Sequence, residues 1–265
     1  MRAPDRPLRL VLLQGDTRWH DPAANQAHYG ALLAGAGPAD LVLLPETWAT
    51  GFTNAVETLA EPMDGPSVAW MRDRARATGA VVAGSLLIRE GGAVFNRLVW
   101  MRPDGTCATY DKRHLFRMAK EHERFAAGQG RLVAEVAGWR VCPLVCYDLR
   151  FPVSSRNRAT DGELDYDLLV YVANWPEARR GPWRALLRAR AIENHAYGVG
   201  LNRVGTDGNG HPYAGDSALV DWQGETLAEL GPEPRALALT LDPEPLERHR
   251  ERFPAWMDGD AFTLG

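Results

Sequence analysis

The sequence predicts an α/β fold, and two kinds of segment support this prediction. Short apolar runs recur along the chain, and several of them, such as Leu41–Leu44 and Leu168–Ala173, are apolar on both faces. Strands of that kind are usually buried under helices or another sheet. Segments with helical periodicity separate the early runs. The predicted strands are Leu8–Gln14, Leu41–Leu44, Val81–Ile88, Val94–Met101, Leu132–Val136, Arg140–Val145, Leu168–Ala173, Tyr197–Val204, Ser217–Trp222 and Ala236–Leu241.

Three segments are predicted to be helices. Asp21–Leu33 begins with Asp-Pro, a favourable N-cap and first-turn pair, and ends at Gly35. Pro66–Ala77 has apolar residues at helical spacing and stops at Gly79. Pro182–Tyr197 carries an apolar face from Trp183 to Ile192. We therefore expect alternating strands and helices early in the chain, and consecutive strands joined by turns later.

Composition indicates one ordinary globular domain, residues 1–265. Hydrophobic residues make up 45% and charged residues 24%, and 30 Lys plus Arg against 34 Asp plus Glu give a net charge of −4. This balance excludes a disordered chain and argues against a strongly basic nucleic-acid-binding protein. No Pro-rich or Ser-rich linker divides the chain. The tail, Pro243–Gly265, is expected to pack on a surface or on a partner subunit, with a frayed end as the open alternative.

Cysteine usage predicts a reducing, cytoplasmic setting. The three cysteines, Cys107, Cys142 and Cys146, are odd in number and sparse, and they form neither a disulfide framework nor a zinc-site pattern. The apolar run Leu10–Leu13 near the start is too short for a signal peptide or a membrane span.

Three polar residues follow apolar strands and form a candidate catalytic set. They are Glu46, Lys112 and Cys146, separated by 112 − 46 = 66 and 146 − 112 = 34 residues. A lysine cation near a thiol favours the thiolate, and a carboxylate can carry a proton to a leaving amine. Each residue also has a structural interpretation: a buried small hydrophobe for the cysteine, a helix cap for the glutamate and a solvated loop charge for the lysine.

The sequence around these residues resembles the carbon–nitrogen hydrolase (nitrilase) superfamily. The three matching segments are Leu43–Phe52, Tyr110–Phe116 and Leu144–Pro152, and they occur in the family's order. The resemblance implies a four-layer αββα sandwich of two mixed β-sheets, with pairs of subunits packed into a longer sandwich. It implies no organic cofactor and no metal. The apolar face of Pro182–Tyr197 is a second reason to expect a homodimer.

The resemblance also assigns roles to individual residues. Glu46 would act as general base and then general acid, Lys112 would stabilise the tetrahedral intermediate, and Cys146 would be the nucleophile. The backbone N–H of Tyr147 would be the second oxyanion donor.

A second glutamate and a pocket wall complete the expected site. Glu121 matches the family's second glutamate, with Glu123 as the alternative, and it would hold Lys112 and the substrate amide. Trp175 and Phe116 are expected to contact the substrate, and Phe52 and Met118 are further wall candidates, although each could equally be core packing. Asp148 and Arg150 are expected to brace the turn after the nucleophile through a buried ion pair. The cation for a substrate carboxylate is left open between Arg113, Arg117 and Arg179.

Within the superfamily, the sequence resembles the omega-amidase branch. The segments that carry this resemblance are Phe116–His122 and Ala173–Pro176, and Tyr147-Asp148 after the cysteine favours amide over nitrile substrates. This implies hydrolysis of the terminal amide of small omega-amide 2-oxo acids, such as 2-oxoglutaramate or 2-oxosuccinamate, through a thioester. The alternatives are another small-amide or N-carbamoyl hydrolase on the same scaffold, and a catalytically silent binding or assembly protein.

Overall fold

A computed structural model describes residues 4–263 of the chain. Within this range the strands are β1 (Leu8–Gln14), β2 (Leu41–Leu43), β3 (Val81–Glu90), β4 (Ala93–Met101), β5 (Cys107–Asp111), β6 (Ala134–Val136), β7 (Trp139–Val145), β8 (Ala159–Thr160), β9 (Glu163–Leu164), β10 (Leu168–Ala173), β11 (Tyr197–Asn202), β12 (Val204–Thr206), β13 (Pro212–Ala214), β14 (Ala218–Val220), β15 (Thr226–Glu229) and β16 (Arg235–Leu241). The α-helices are α1 (Pro22–Ala34), α2 (Val56–Leu59), α3 (Pro66–Thr78), α4 (Pro152–Ser155), α5 (Arg180–Glu193) and α6 (Pro243–Arg252).

Two six-stranded mixed sheets form the centre of the molecule. The first has the strand order β16-β1-β2-β3-β4-β5, and the second has the order β15-β14-β11-β10-β7-β6. Each sheet has three parallel central strands, β1-β2-β3 in the first and β7-β10-β11 in the second, flanked by antiparallel strands. The carboxyl ends of these parallel strands are the positions at which α/β folds build ligand sites.

Successive side chains of β1 point into two different cores, which shows how the layers are stacked. Leu8, Leu10 and Leu12 belong to the core between the two sheets, together with residues of β7, β10 and β11. Val11 and Leu13 belong to a second core that the first sheet shares with α1 and α3. Helix α5 covers the outer face of the second sheet. The prediction of an α/β sandwich with two mixed sheets is therefore confirmed.

The structure differs from the expected pattern around α5. The segment predicted as one helix to Tyr197 ends at Glu193, because Tyr197 pairs with Leu168 in the parallel ladder of β10 and β11. Most of the apolar face that was given as a reason for dimerisation packs inside this chain. Trp183, Leu187 and Ala191 are buried in its own core, whereas Ile192 at the end of the face is exposed.

The C-terminal segment contains a helix, α6, that the sequence pattern did not predict. Asp242 caps its first turn by accepting from Glu244 N at 3.1 Å. The buried Arg250 donates to Asp167 Oδ1 at 2.7 Å and to the backbone oxygens of Tyr166 and His195 at 2.9 and 2.8 Å. Residues 243–252 thus pack on the body of their own chain and are not a frayed end. Residues 264 and 265 of the predicted tail lie outside the described range.

Within residues 4–263, no helix is both long and apolar enough to cross a membrane.

Candidate active site

The three predicted catalytic residues line one cavity. Glu46 follows β2 and Lys112 follows β5 in the first sheet, whereas Cys146 follows β7 in the second. All three border a cavity of about 320 Å³ at the carboxyl ends of these strands. The fold therefore brings together side chains that are widely separated along the chain.

Lys112 is bracketed by two carboxylates in the buried floor of this cavity. Its Nζ donates to Glu46 Oε1 at 2.8 Å and to Glu121 Oε1 and Oε2 at 3.1 and 2.9 Å. Neither glutamate side chain is exposed, and only 1% of the lysine side chain is. The alternative second glutamate, Glu123, is exposed on the surface. Glu121 is thus the glutamate that holds Lys112.

The two carboxylates determine the charge of Lys112. Burial alone would lower its pKa, but the negative charges of Glu121 and Glu46 outweigh burial and raise the pKa above its ordinary value. Lys112 is therefore an ammonium ion at neutral pH. It can stabilise negative charge but is a poor proton donor.

Side chains from both sheets fix Glu46 in place. Asn96 on β4 donates to Glu46 Oε1 at 2.9 Å, and the backbone N–H of Asn174, after β10, donates to Oε2 at 2.8 Å. The Asn174 side chain also donates to the Glu46 backbone oxygen at 2.6 Å and to Thr47 Oγ1 at 3.0 Å. Neither asparagine was predicted from the sequence, although Asn174 lies inside the segment Ala173–Pro176 that carries the family resemblance.

Gly128 fixes the backbone next to Lys112. Its N–H donates to the Lys112 backbone oxygen at 3.0 Å, and a Cβ at this position would lie 2.0 Å from the Asp111 backbone oxygen. Only glycine allows this close approach.

Cys146 occupies a sharp turn between β7 and a short 3₁₀ segment, Cys146–Arg150. Its φ is 45°, in the left-handed region that costs a non-glycine residue roughly 1–2 kcal/mol. Its Sγ lies 3.9 Å from the Asn174 backbone oxygen. Tyr147 is the second residue of the segment, so its N–H has no acceptor within that segment. Cys146 and Tyr147 both line the cavity.

The surroundings of Cys146 favour the neutral form of its thiol. Burial and then the negative charge of Glu46 raise the pKa of Cys146 well above its ordinary value. Lys112 lowers that pKa, as expected, but by less than the other two effects raise it. Cys146 is therefore a neutral thiol at neutral pH, and a base must take its proton before or during attack on a substrate.

Aromatic side chains form much of the cavity wall. The predicted wall residues Phe52, Phe116, Met118 and Trp175 all line it. Phe116 packs against Tyr147 with ring centroids 5.0 Å apart, and Lys112 Nζ lies 5.3 Å from the Phe52 ring centre. Trp175 is fixed by its own Nε1, which donates to the Arg179 backbone oxygen at 2.7 Å.

Two arginines line the cavity, and only one of them was among the cation candidates. Arg179 lies over the Phe116 ring, and Arg150 lies over the Trp175 ring at 4.9 Å. Arg113 and Arg117 are absent from the cavity wall. Among the described residues, neither Arg150 nor Arg179 has an ion-pair partner within 4.0 Å. Their charges are available to an anionic ligand.

The predicted ion pair between Asp148 and Arg150 is wrong. Asp148 is fully buried and accepts hydrogen bonds from Tyr110, His114 and Val145, whereas the Arg150 side chain points into the cavity. A carboxylate that already has several donors in the protein interior does not need a guanidinium.

The β12–β13 hairpin supplies a cavity wall that the sequence analysis did not identify. Asp207, Asn209, His211 and Tyr213 all line the cavity. Tyr213 donates its hydroxyl to Asp207 Oδ2 at 2.8 Å, which links the two sides of the hairpin. In the sequence, the turn residues Gly208-Asn209-Gly210 mark this hairpin. Among residues 4–263, no group of three His, Cys, Asp or Glu side chains is arranged to hold a metal ion.

Comparisons with known proteins agree with this geometry. The carbon-nitrogen hydrolase family model matches residues 9–249. The chain is 47% identical to the omega-amidase YafV of Yersinia enterocolitica, over 97% of this chain and 98% of that protein. It is 33% identical to a 2-oxoglutaramate amidase of Bacillus subtilis, over 83% and 85% of the two chains.

Solved structures show the same fold. A carbon–nitrogen hydrolase superfamily protein of Xanthomonas campestris, with an arsenic adduct in its active site, superposes with a TM-score of 0.96. It is 53% identical, over 98% of this chain and 99% of that one. An amidase of Nesterenkonia, modified by acrylamide at its active-site cysteine, is 27% identical over 93% and 98% of the chains, with a TM-score of 0.79. The chain therefore belongs to the carbon–nitrogen hydrolase family and is a hydrolase of carbon–nitrogen bonds in amides.

Proposed function

We propose that the protein is an omega-amidase that uses Cys146 as its nucleophile. Its substrates would be small omega-amide 2-oxo acids of the 2-oxoglutaramate and 2-oxosuccinamate type, and its products the corresponding acid and ammonia. One observation carries the proposal: a buried ammonium–dicarboxylate cluster adjoins a thiol in a small cavity whose wall holds two arginines without acidic partners. The names of the relatives agree with it.

Acylation follows from the positions of the floor residues. The thiol is neutral, so Glu46 takes its proton as Sγ attacks the carbonyl carbon of the terminal amide. The oxyanion that forms would be stabilised by the Lys112 ammonium and the Tyr147 N–H. Glu46 then gives its proton to the nitrogen, the carbon–nitrogen bond breaks, and ammonia leaves a thioester on Cys146.

Deacylation uses the same groups with water as the nucleophile. Glu46 removes a proton from water as the water oxygen attacks the thioester carbonyl, and Lys112 and Tyr147 again stabilise the oxyanion. Collapse of this intermediate breaks the carbon–sulfur bond, and the proton held by Glu46 restores the thiol. Glu121 keeps Lys112 in place through both steps, because it accepts two hydrogen bonds from the ammonium.

The cavity wall would select the acid end of the substrate. A carboxylate pairs well with guanidinium groups, and both arginines of the wall lie over aromatic rings that restrict their movement. A cavity of about 320 Å³ is at the small end of the range for ligand sites, which fits a five- or four-carbon acid.

The proposal is tested by measuring ammonia release from 2-oxoglutaramate. Wild type and Cys107→Ala should be active, whereas Cys146→Ala should be inert. Cys107 is an exposed cysteine at the start of β5, so it controls for the loss of a thiol. Equal activity of Cys146→Ala and wild type would overturn the proposal. Higher specificity constants for N-carbamoyl amino acids than for omega-amide 2-oxo acids would move the assignment to a carbamoyl hydrolase.

We also propose that the protein works as a homodimer in the cytoplasm. The family resemblance supports the dimer, and the three free cysteines suit a reducing compartment. Light scattering at micromolar concentration should give twice the chain mass of 29.2 kDa. A mass equal to one chain would contradict the dimer.

A further inference from the structure

The Asp148 carboxylate joins the segment of Cys146 to the segment of Lys112. It lies two residues after Cys146, its side chain is fully buried, and it accepts four hydrogen bonds. Nothing in the reaction described above requires an acid at this position. A buried carboxylate with this many donors holds several segments of backbone in one arrangement.

On one side, Asp148 contacts residues that flank Lys112. Tyr110 donates its hydroxyl to Asp148 Oδ2 at 2.8 Å, and His114 contacts Oδ1 through its backbone N at 3.1 Å and its Nδ1 at 2.7 Å. Tyr110 precedes Lys112 by two residues and His114 follows it by two. The Asp148 carboxylate is therefore hydrogen-bonded to both ends of the short segment, Tyr110–His114, that carries the Lys112 ammonium.

On the other side, Asp148 fixes the turn that presents the thiol. The backbone N–H of Val145, directly before Cys146, donates to Asp148 Oδ2 at 3.0 Å. Cys146 itself has a φ of 45°, a conformation that persists only when its surroundings enforce it. Stacking of Phe151 on the His114 ring, with centroids 3.9 Å apart, adds a second contact between the two segments.

The Tyr110 hydroxyl is constrained to donate to Asp148. It accepts from the Arg113 backbone N at 3.2 Å, which leaves its own hydrogen for the carboxylate. Burial and the Asp148 charge also raise the pKa of Tyr110 well above its ordinary value, so the hydroxyl stays protonated. The hydrogen bond therefore runs in one direction, from the Tyr110 hydroxyl to the Asp148 carboxylate.

We propose that Asp148 is a positioning residue that, through Tyr110, His114 and Val145, fixes the Lys112 ammonium of the first sheet relative to the Cys146 thiol of the second. This proposal rests on the roles proposed above for Lys112 and Cys146. It assigns to Asp148 no contact with substrate. Its effect is on the distance between the oxyanion donor and the nucleophile, and a misplacement of about 1 Å in such geometry can cost roughly a hundredfold in rate.

The matched pair Tyr110→Phe and Tyr197→Phe tests this role. Each variant removes one hydroxyl from a hydrogen bond: Tyr110 donates to the buried Asp148 carboxylate, and Tyr197 donates to the Asp242 backbone oxygen at 2.9 Å, outside the cavity wall. We expect both to lower stability, Tyr110→Phe by more, because hydrogen bonds to a charged group contribute more. Only Tyr110→Phe should lower kcat, by up to about a hundredfold with KM within about threefold of wild type. Asp148→Asn, which cannot accept from all four donors, should lower kcat further.

Hydrogen exchange gives a second readout that needs no substrate. In Tyr110→Phe we expect faster amide exchange in residues 144–150, on the opposite sheet from the substitution, and no such change in Tyr197→Phe. If wild type fails to release ammonia from any omega-amide acid, the proposed function fails, and the exchange result alone decides the role of Asp148. Unchanged exchange in residues 144–150, or a kcat of Tyr110→Phe equal to that of Tyr197→Phe, would overturn the proposal.

Discussion

The floor and the rim of the cavity are built in opposite ways. The floor consists of Glu46, Lys112, Glu121 and Cys146, and its three charged side chains are almost fully buried and hydrogen-bonded to one another. The rim consists of partly or largely exposed residues: Phe52, Phe116, Met118, Arg150 and Arg179. The two phenylalanines and the two arginines make ring contacts in place of a hydrogen-bond network. A rigid floor suits chemistry common to all amides, whereas an adaptable rim suits recognition of one substrate class.

Removal of the floor cation should have the largest effect. Lys112→Met takes away the proposed oxyanion donor and leaves two buried carboxylates without their counter-ion. We expect kcat to fall by about a hundredfold to a thousandfold and the free energy of unfolding to fall by about 3–5 kcal/mol. Steady-state kinetics and urea unfolding measure the two changes. Lys120→Met, on an exposed neighbouring lysine, should change neither.

Glu121 and Glu123, in the loop after Lys112, allow a comparison between a buried floor residue and an exposed surface residue. Glu121→Gln keeps the shape of the side chain but removes the charge that Lys112 and the Phe116 N–H contact. We expect a fall in kcat of about tenfold to a hundredfold, since hydrogen bonds to a charged group contribute about 1.5–3 kcal/mol. Glu123→Gln is the matched control, and a comparable loss in that variant would contradict the distinction between the two residues.

Substitution at the rim should change selectivity and leave the chemistry intact. Arg150→Met removes a cation that the substrate carboxylate would contact, so kcat/KM for 2-oxoglutaramate should fall by about tenfold to a hundredfold. For butyramide, which has no carboxylate, the variant should match wild type. Arg117→Met, at an arginine outside the cavity wall, is the control. Equal losses of kcat/KM on both substrates would indicate that Arg150 acts in amide hydrolysis itself and not in recognition of the carboxylate.

Most residues of the floor and of the rim could be predicted from the sequence, whereas the contacts that hold the floor in place could not. Glu46, Lys112 and Cys146 follow apolar strands and lie in segments with a specific family pattern, so both position and resemblance pointed to them. Asn174 and Asp148 depend on pairings between the two sheets, which no local pattern encodes. Arg150 was expected to pair with Asp148, but Tyr110 and His114 already supply the donors that this carboxylate needs.

In the fold, too, elements with a clear local sequence pattern were predicted, whereas elements that depend on tertiary contacts were not. The strand Leu168–Ala173 was predicted with correct bounds, because burial on both sides leaves a clear pattern of apolar residues. The helix α6 was missed, because its stability comes from tertiary contacts of Arg250 and Leu246 and not from a broad apolar face. The effect of Lys112 on the pKa of Cys146 has the predicted direction, whereas the larger effect of burial could not be obtained from the neighbouring residue types.

The most direct test of the account is to trap the acyl-enzyme. Wild type mixed with 2-oxoglutaramate, quenched rapidly in acid and digested, should yield the acyl adduct on the peptide that contains Cys146, as detected by mass spectrometry. Cys146→Ala should yield neither adduct nor ammonia. An adduct on Cys107 or Cys142, or steady ammonia release by Cys146→Ala, would contradict the claim that the buried floor performs thioester chemistry.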